Sequence, residues 1–509
     1  MNNRDAVKPR LLLLVLMIAV LACSRGDQPL EFLGLELSGS PGSSGIKSSP
    51  DTEGDIEQAE LPPIYTPTPD PVREPPSRAD IPEWYTVQYG DSLNGIAGRM
   101  GIGANQILVE NGLPNANYLG VGQILHMPTP QPQAPSPSFK IIPNAELVNG
   151  ESALGFSATE LIRTWNGALN RYSEFVNGEE LSGSQIVEEV ASKYSVNPRL
   201  LLAILEYQGG WLTMPERAPD RLTYELGYER FGFEGLHSQL SWVADQLNRG
   251  YYQWRAGWAG PYVLIDGSVA PPGQGINAGT AAVQWLFGQL YAPDAWRMVI
   301  GEDGFYKVYE ILFGNPFAEP QRTVVPDTLE QPEFQLPFEP GKVWSFTGGP
   351  HAGWGHWAAW SALDFAPPGN ALGCVFSNEW VVAIADGLIT RAANGEVIQD
   401  LDGDGFEGTG WAIQYMHVES RDRVAAGTTL KRGDRIGHPS CEGGVSSGTH
   451  LHLSRKFNGE WIPADGPLPY DLDGWTSSGD GAQYNGALTR GDLRLEACSC
   501  RLPLNQIAR

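Results

Sequence analysis

The chain has 509 residues and a formal net charge of −25, a length that implies about three domains rather than one core. Its 41% hydrophobic content and 16 Trp suffice for several cores. A chain this acidic excludes nucleic acid as a natural partner, because phosphates need Lys and Arg; anionic lipid headgroups also repel it, so membrane attachment needs a specific device.

Such a device stands at the start. Arg4, Lys8 and Arg10 precede an apolar run of 11 residues, Leu11 to Leu21. That run is too short to span a bilayer of about 30 Å but fits the apolar part of a signal peptide. Val20-Leu21-Ala22-Cys23 resembles a bacterial lipobox. The resemblance implies that residues 1–22 are removed and that Cys23 is lipidated, on the exported side of the membrane. An ordinary signal peptide or an uncleaved anchor is the alternative, and each implies export. Besides Cys23, the chain has Cys374, Cys441, Cys498 and Cys500. An even number in an exported chain favours disulfides, with Cys374–Cys441 the preferred pair because both lie in one domain. The close spacing of Cys498 and Cys500 makes their pairing strained.

Residues 23–82 are rich in Gly, Ser, Pro, Asp and Glu and read as a disordered tether. Pro-rich residues 129–139 and residues 317–334 read as linkers. The blocks between are 83–128, 140–316 and 335–500.

In the first block, Tyr85-Thr86-Val87 alternates like a strand. Gly90-Asp91-Ser92 opens a helix, Asn111-Gly112 ends a second, and Gly122-Gln123-Ile124-Leu125 is the returning strand. With YTVQYGDSL, NGL and VGQIL in this order, the block closely resembles a LysM domain. That resemblance implies a βααβ module that binds N-acetylglucosamine-containing glycans in a groove between two loops. Carried over, the groove residues are Gly90, Asp91, Ser92 and Leu93 on one side and Asn111, Gly112, Leu113 and Pro114 on the other. Gly90 and Gly112 also read simply as turn residues.

The second block is mostly helical. Ser157-Ala158-Thr159-Glu160 has a capping-box pattern, Ile186, Val187 and Val190 recur at helical spacing, and Asn197-Pro198 restarts a helix with an apolar core from Leu200 to Leu205. Residues 240–247 and 281–291 also read as helices, with Trp242, Trp254, Trp258 and Trp285 interspersed. SVNPRLLLAILEYQGG is similar to the first catalytic-domain helices of lysozyme-like lytic transglycosylases. The resemblance makes Glu206 a general acid for glycan cleavage, since a carboxyl beside an apolar wall stays protonated near neutral pH. That family has Ser after the Glu, whereas Tyr207 follows here. The other reading is a helix-end glutamate in a domain that binds or spaces.

Six of the eight His residues follow residue 350. Strands are expected around 343–346, 380–384, 388–391, 411–416 and 450–456, separated by Gly-rich turns, so this block reads as antiparallel β. In Gly448-Thr449-His450-Leu451-His452, the two imidazoles share one face of a strand, because side chains repeat every two residues. His351 and Asp364 lie upstream. Nitrogen and carboxylate ligands with one open position make a catalytic zinc pattern. These residues resemble the lysostaphin- and LytM-type cell-wall peptidases. Most of that family has a His four residues before the Asp, where this chain has Trp360. The 13-residue spacing from His351 to Asp364, the GGPH segment, Cys441 and the QYMH segment are similar to the beta-lytic branch. The resemblance implies zinc ligands His351, Asp364 and His452, with His417 and His450 activating water or stabilising the oxyanion. His356 is the fallback first ligand, and His438 stays outside the site. Asp400, Asp402 and Asp404 match positions 1, 3 and 5 of a calcium loop, but position 12 is Trp411 rather than Glu. An acidic solvated hairpin is the equal alternative.

The expected molecule is multidomain: a LysM module, a mostly α domain with lysozyme-like features and an antiparallel β peptidase. Its expected reaction is zinc-dependent hydrolysis of amide bonds in peptidoglycan stem peptides or cross-bridges. The rivals are an inactive wall-binding activator of other hydrolases and a bifunctional enzyme that also cuts glycan.

Overall fold

The computed structural model describes residues 82–88, 91–100, 102–115, 118–128, 133–216, 223–257, 260–318 and 323–509. Cys23, the signal segment, the tether up to residue 81, Gly90 and Trp258 lie outside these residues.

Near the start, strand Trp84–Thr86 pairs antiparallel with Ile124–His126, and helices Leu93–Met100 and Ala104–Glu110 run between them. Leu93, Ile96, Ile107, Leu113 and Leu125 form a small core. Asn111 ties the second helix to the returning strand: its Oδ1 accepts from His126 N at 2.7 Å, and its Nδ2 donates to His126 O at 2.8 Å.

The central region is helical, as its periodicity predicts. The helices Gly183–Tyr194, Pro198–Gly209, Leu236–Arg255 and Ala278–Gly288 surround an apolar core. Local chemistry sets their starts. Asn197 accepts from Arg199 N at 3.0 Å before the N-terminal Pro198. A full capping box forms at Ser182 and Gln185, whereas Ser157 supplies only its own half, accepting from Glu160 N. Trp242 and Trp285 are buried core residues, and Trp242 stacks on Tyr228 at 3.9 Å.

Two expected linkers are partly absorbed into the fold. Ser136 N donates to Pro271 O at 2.8 Å, and Ser136 Oγ donates to Gln284 at 2.8 Å. Val324 packs into the helical core. The Pro residues stiffen these segments but leave enough free backbone groups to bind neighbouring elements.

The C-terminal region is built on a nine-stranded antiparallel sheet. Its order is Thr429–Leu430, Gly387–Ala393, Glu396–Asp400, Trp411–Met416, Leu451–Phe457, Ala362–Ala366, Val343–His351 and Gln506–Ala508, with Glu460–Trp461 pairing the end of Leu451–Phe457. A four-stranded sheet spans residues 471–496. The region therefore extends past residue 500, because Gln506–Ala508 closes the sheet edge beside Val343. The expected strand near residue 380 is only Val381–Val382 and pairs with Arg435–Gly437 in a separate small sheet. The helical and β regions meet where Ala352, Ala358, Ala359 and Trp461 join the helical core.

Candidate metal centre

Strand register assembles the site. His452 lies opposite Asp364 on one side and Met416 on the other. Their neighbours Leu451, Leu453, Leu363 and Phe365 are fully buried in the apolar core, so alternation sends His452 and Asp364 together to the opposite face. His351 ends the strand beyond Asp364, after two register shifts that bring it back to the cluster. Gly348 is required there: a Cβ would meet Asp364 Oδ2 at 2.5 Å.

The three side chains converge. His351 Nε2 lies 2.9 Å from His452 Nδ1 and 3.2 Å from Asp364 Oδ1, and His452 Nδ1 lies 3.4 Å from the same oxygen. Zinc bonds of about 2.0–2.1 Å in a tetrahedron place ligand atoms roughly 3.3 Å apart, so the triangle fits. Backbone carbonyls orient the rings: His351 Nδ1 donates to Gly349 O at 2.8 Å, and His452 Nε2 donates to Gly353 O at 3.1 Å. Each inward nitrogen is then left with its lone pair, as metal ligation requires. Asp364 Oδ1 is buried with no hydrogen-bond partner, a costly state unless a cation faces it. Burial raises the Asp364 carboxyl, but positive charge on His351 and His450, the role a bound cation would take over, outweighs it and holds it well below the usual carboxylate range.

Two more histidines flank this triangle. His450 Nε2 is 3.7 Å from Asp364 Oδ1, and its ring is 4.5 Å from that of His417. Their Nδ1 atoms donate to Gly448 O at 2.7 Å and Glu442 O at 3.1 Å. Burial, then the neighbouring His450 and His452, push His417 down to about 3, so it stays neutral. Tyr484 stacks on His351 at 4.2 Å with a 23° tilt. Sequence reasoning missed it, because a lone Tyr in a loop carries no periodicity. The Cys374–Cys441 disulfide fastens two loops beside the site, and Cys498–Cys500 is also closed. Its Cα–Cα distance of 5.0 Å lies within the ordinary span, so the close spacing does not prevent the pair.

The remaining candidates sort by geometry. Trp360 is buried and its carbonyl accepts from Ala464 N, so the usual first-ligand position serves packing. His356 is outside the cluster, with its imidazole 3.5 Å from Asp245. His438 is buried, with Nδ1 2.8 Å from Glu379 O. Glu206 is no free acid: its carboxylate accepts from Leu212 N at 2.8 Å and from Thr213 N and Oγ1 at 3.2 and 2.5 Å, which shapes the chain after its helix. Asp400, Asp402 and Asp404 bring carboxylate oxygens within 4.8 Å of one another. Burial, together with Asp402, pushes Asp400 up to about 6. Glu407 turns away from that loop to Lys456, at 2.8 Å, and to Arg391. In the first module Leu93 and Leu113 are buried, Ser92 caps Gly95 N at 3.1 Å, and Asp91 accepts from Tyr85 and Gln88. Gly112 adopts φ 59° and Pro114 is exposed.

Residues 85–128 match the LysM domain, and residues 140–326 match the LasA N-terminal domain. Protease LasA of Pseudomonas aeruginosa (strain UCBPP-PA14) is 28% identical over 318 residues, covering 58% of this chain and 72% of LasA. The beta-lytic metalloendopeptidase of Achromobacter lyticus is 27% identical over 205 residues, 38% of this chain and 48% of that protein. Among solved structures, the deep-sea M23 metalloprotease pseudoalterin is 25% identical, with a TM-score of 0.29, over 35% of this chain and 98% of its own. Protease LasA, the beta-lytic enzyme and the His–Asp–His cluster agree: the chain is homologous to these two metalloendopeptidases, has the His–Asp–His site of a metalloendopeptidase and carries a LysM domain.

Proposed function

We propose that this protein is an exported zinc endopeptidase that hydrolyses amide bonds in peptidoglycan stem peptides or cross-bridges, with its LysM module holding it on the glycan. The observation that carries this reading is the buried triangle of His351, Asp364 and His452, with an orphaned carboxylate oxygen at its centre. Zinc, when bound there, supplies the positive charge that polarises an amide carbonyl and acidifies water. The protein's own groups do the rest. His450 Nε2 faces the cluster with its lone pair free, because Nδ1 is spent on Gly448. It accepts a proton from the attacking water and returns it to the leaving amine. His417 has the same tautomer and stays neutral, so it serves as an acceptor that orients water rather than as an oxyanion donor. A protonated His450 is then the donor available to developing negative charge.

LysM residues Asp91, Ser92, Leu93, Asn111 and Leu113 use their side chains within the module, so a glycan in their groove meets mainly backbone groups and Pro114. The two disulfides and the N-terminal apolar run support export, and Cys23 is our candidate lipid anchor. A tethered enzyme that grips its polymer gains effective substrate concentration without new active-site contacts. Calcium at Asp400, Asp402 and Asp404 is the secondary cofactor reading, supported by their carboxylate oxygens lying within 4.8 Å of one another. An inactive, activating role fits poorly with an intact ligand set.

The decisive experiment measures zinc content and release of peptide ends from peptidoglycan for wild type and for His351→Ala, His452→Ala and His356→Ala. One zinc per chain and release are expected for wild type and His356→Ala, with both lost in the other two. Zinc-free, inactive wild type would sink the peptidase reading.

A further inference from the structure

We propose that the outward face of the LysM sheet is a second sugar-binding surface, on which Trp84 stacks a pyranose ring of a neutral N-acetylhexosamine chain. This rests on the glycan-binding reading above and adds a site separate from the loop groove.

The register pairs Trp84 with His126, Tyr85 with Leu125 and Thr86 with Ile124. Leu125 is fully buried in the module's core. Alternation therefore sends Trp84, Thr86, Ile124 and His126 together to the opposite face. That face is open: Trp84 is 57% exposed and Ile124 63%. Trp84 is no part of the core cluster, so folding alone gives no reason for a large aromatic there.

The polar groups around it point to a sugar rather than to an apolar partner. The His126 ring lies 4.6 Å from Trp84, tilted by 54°. Its Nδ1 is 2.7 Å from Glu110 Oε1, and both side chains are partly exposed, at 35% and 44%. Trp84 thus offers a flat apolar platform with an imidazole–carboxylate pair and the Thr86 hydroxyl beside it. A pyranose has the matching surface: an apolar C–H face and a rim of hydroxyl and amide groups. The chain's charge of −25 favours an uncharged polymer over an anionic one. The loop candidates Asp91, Ser92 and Asn111 have turned their side chains to internal bonds. The sheet face offers an aromatic platform that these loop side chains do not.

The test is calorimetric titration of the full chain with a soluble β-1,4-linked N-acetylglucosamine hexamer. Trp84→Ala is expected to weaken binding by about five-fold or more, Trp84→Phe to keep most of it, and Glu110→Gln to fall between. Melting curves should be unchanged, since Trp84 lies outside the core, and they check that any loss is not unfolding. Wild-type binding with equal affinity in Trp84→Ala would overturn this inference and leave the loop-groove reading intact. No binding by wild type would overturn both. Loss of self-association in Trp84→Ala, at unchanged sugar affinity, would reassign the face to contact between copies.

Discussion

Glu206 in the helical region and Asp364 in the β region are both acids that sequence patterns single out, yet their surroundings are opposite. Glu206 receives three donors from the two residues Leu212 and Thr213. Asp364 Oδ1 is buried without one and faces three imidazole nitrogens within 3.7 Å. A carboxylate whose lone pairs are filled by nearby N–H and O–H groups fixes a loop; one left bare among lone-pair nitrogens is arranged for a cation. The largest predicted effect tests this contrast. Asp364→Asn should remove zinc and lower kcat/KM for peptide release by about a thousand-fold or more. Glu206→Gln should leave both unchanged and generate no change in sugar-end products. A loss of reducing or anhydro-sugar ends with Glu206→Gln would reverse the assignment.

The same contrast explains what was legible in the sequence. His450 and His452 were readable because a two-residue period fixes their face, and Asp364 and His351 followed from spacing and resemblance. Asp364 needed the register with His452 before its side could be known, since its strand is an uninterrupted buried run without alternation. Tyr484 was invisible, because only a left-handed turn at φ 68° brings it onto His351. Glu206 was misleading: an apolar helix followed by an acid looks alike whether or not the next loop folds back to satisfy it. The four-stranded sheet after residue 470 also left no clear trace, because its strands are short and half-exposed.

A second, smaller effect separates the β region further. On the sheet, Lys456 and Arg391 hold Glu407. Burial alone would raise the Glu407 carboxyl, but these two cations bring it down to about 2. A depressed carboxyl stabilises the fold above its unfolded value near 4.5 and loses that contribution as pH falls toward 2. Lys456→Met removes one of the two cations and should cost about 3 kcal/mol at neutral pH. It should also flatten the acid-side decline, which urea unfolding at about pH 7 and about pH 3 would measure. An unchanged acid-side slope would show that other carboxylates set it.

The smallest effects lie where the two regions meet. The segment between the proposed ligands His351 and Asp364 is held by the helix Leu236–Arg255. Asp245 Oδ1 accepts from His356 N at 2.9 Å and Trp357 N at 3.2 Å. Arg249 lies 3.8 Å over Trp357 and 4.3 Å over Trp285. Asp245→Ala leaves two backbone donors unsatisfied and should cost about 2 kcal/mol. Asp245→Asn keeps an acceptor but loses the charge facing His356, whose side chain is 64% exposed, and the buried Arg249, so a smaller loss than in Asp245→Ala is expected. The hydrogen bond to Asp245 raises His356 above its usual 6.5, against a smaller effect of burial. That contribution is present below about 6.5 and fades as pH rises through the raised value, so the gap between wild type and Asp245→Asn should narrow from about pH 5.5 to about pH 8, leaving the part due to Arg249. Zinc retention against a chelator distinguishes two couplings. If Asp245→Ala speeds zinc loss along with unfolding, the helix and the ligand segment act as one mechanical unit, and the ligand triangle depends on a region that supplies no ligand. If stability falls while zinc loss is unchanged, register with His452 alone holds Asp364, and the helical contact stabilises the segment without tuning the metal.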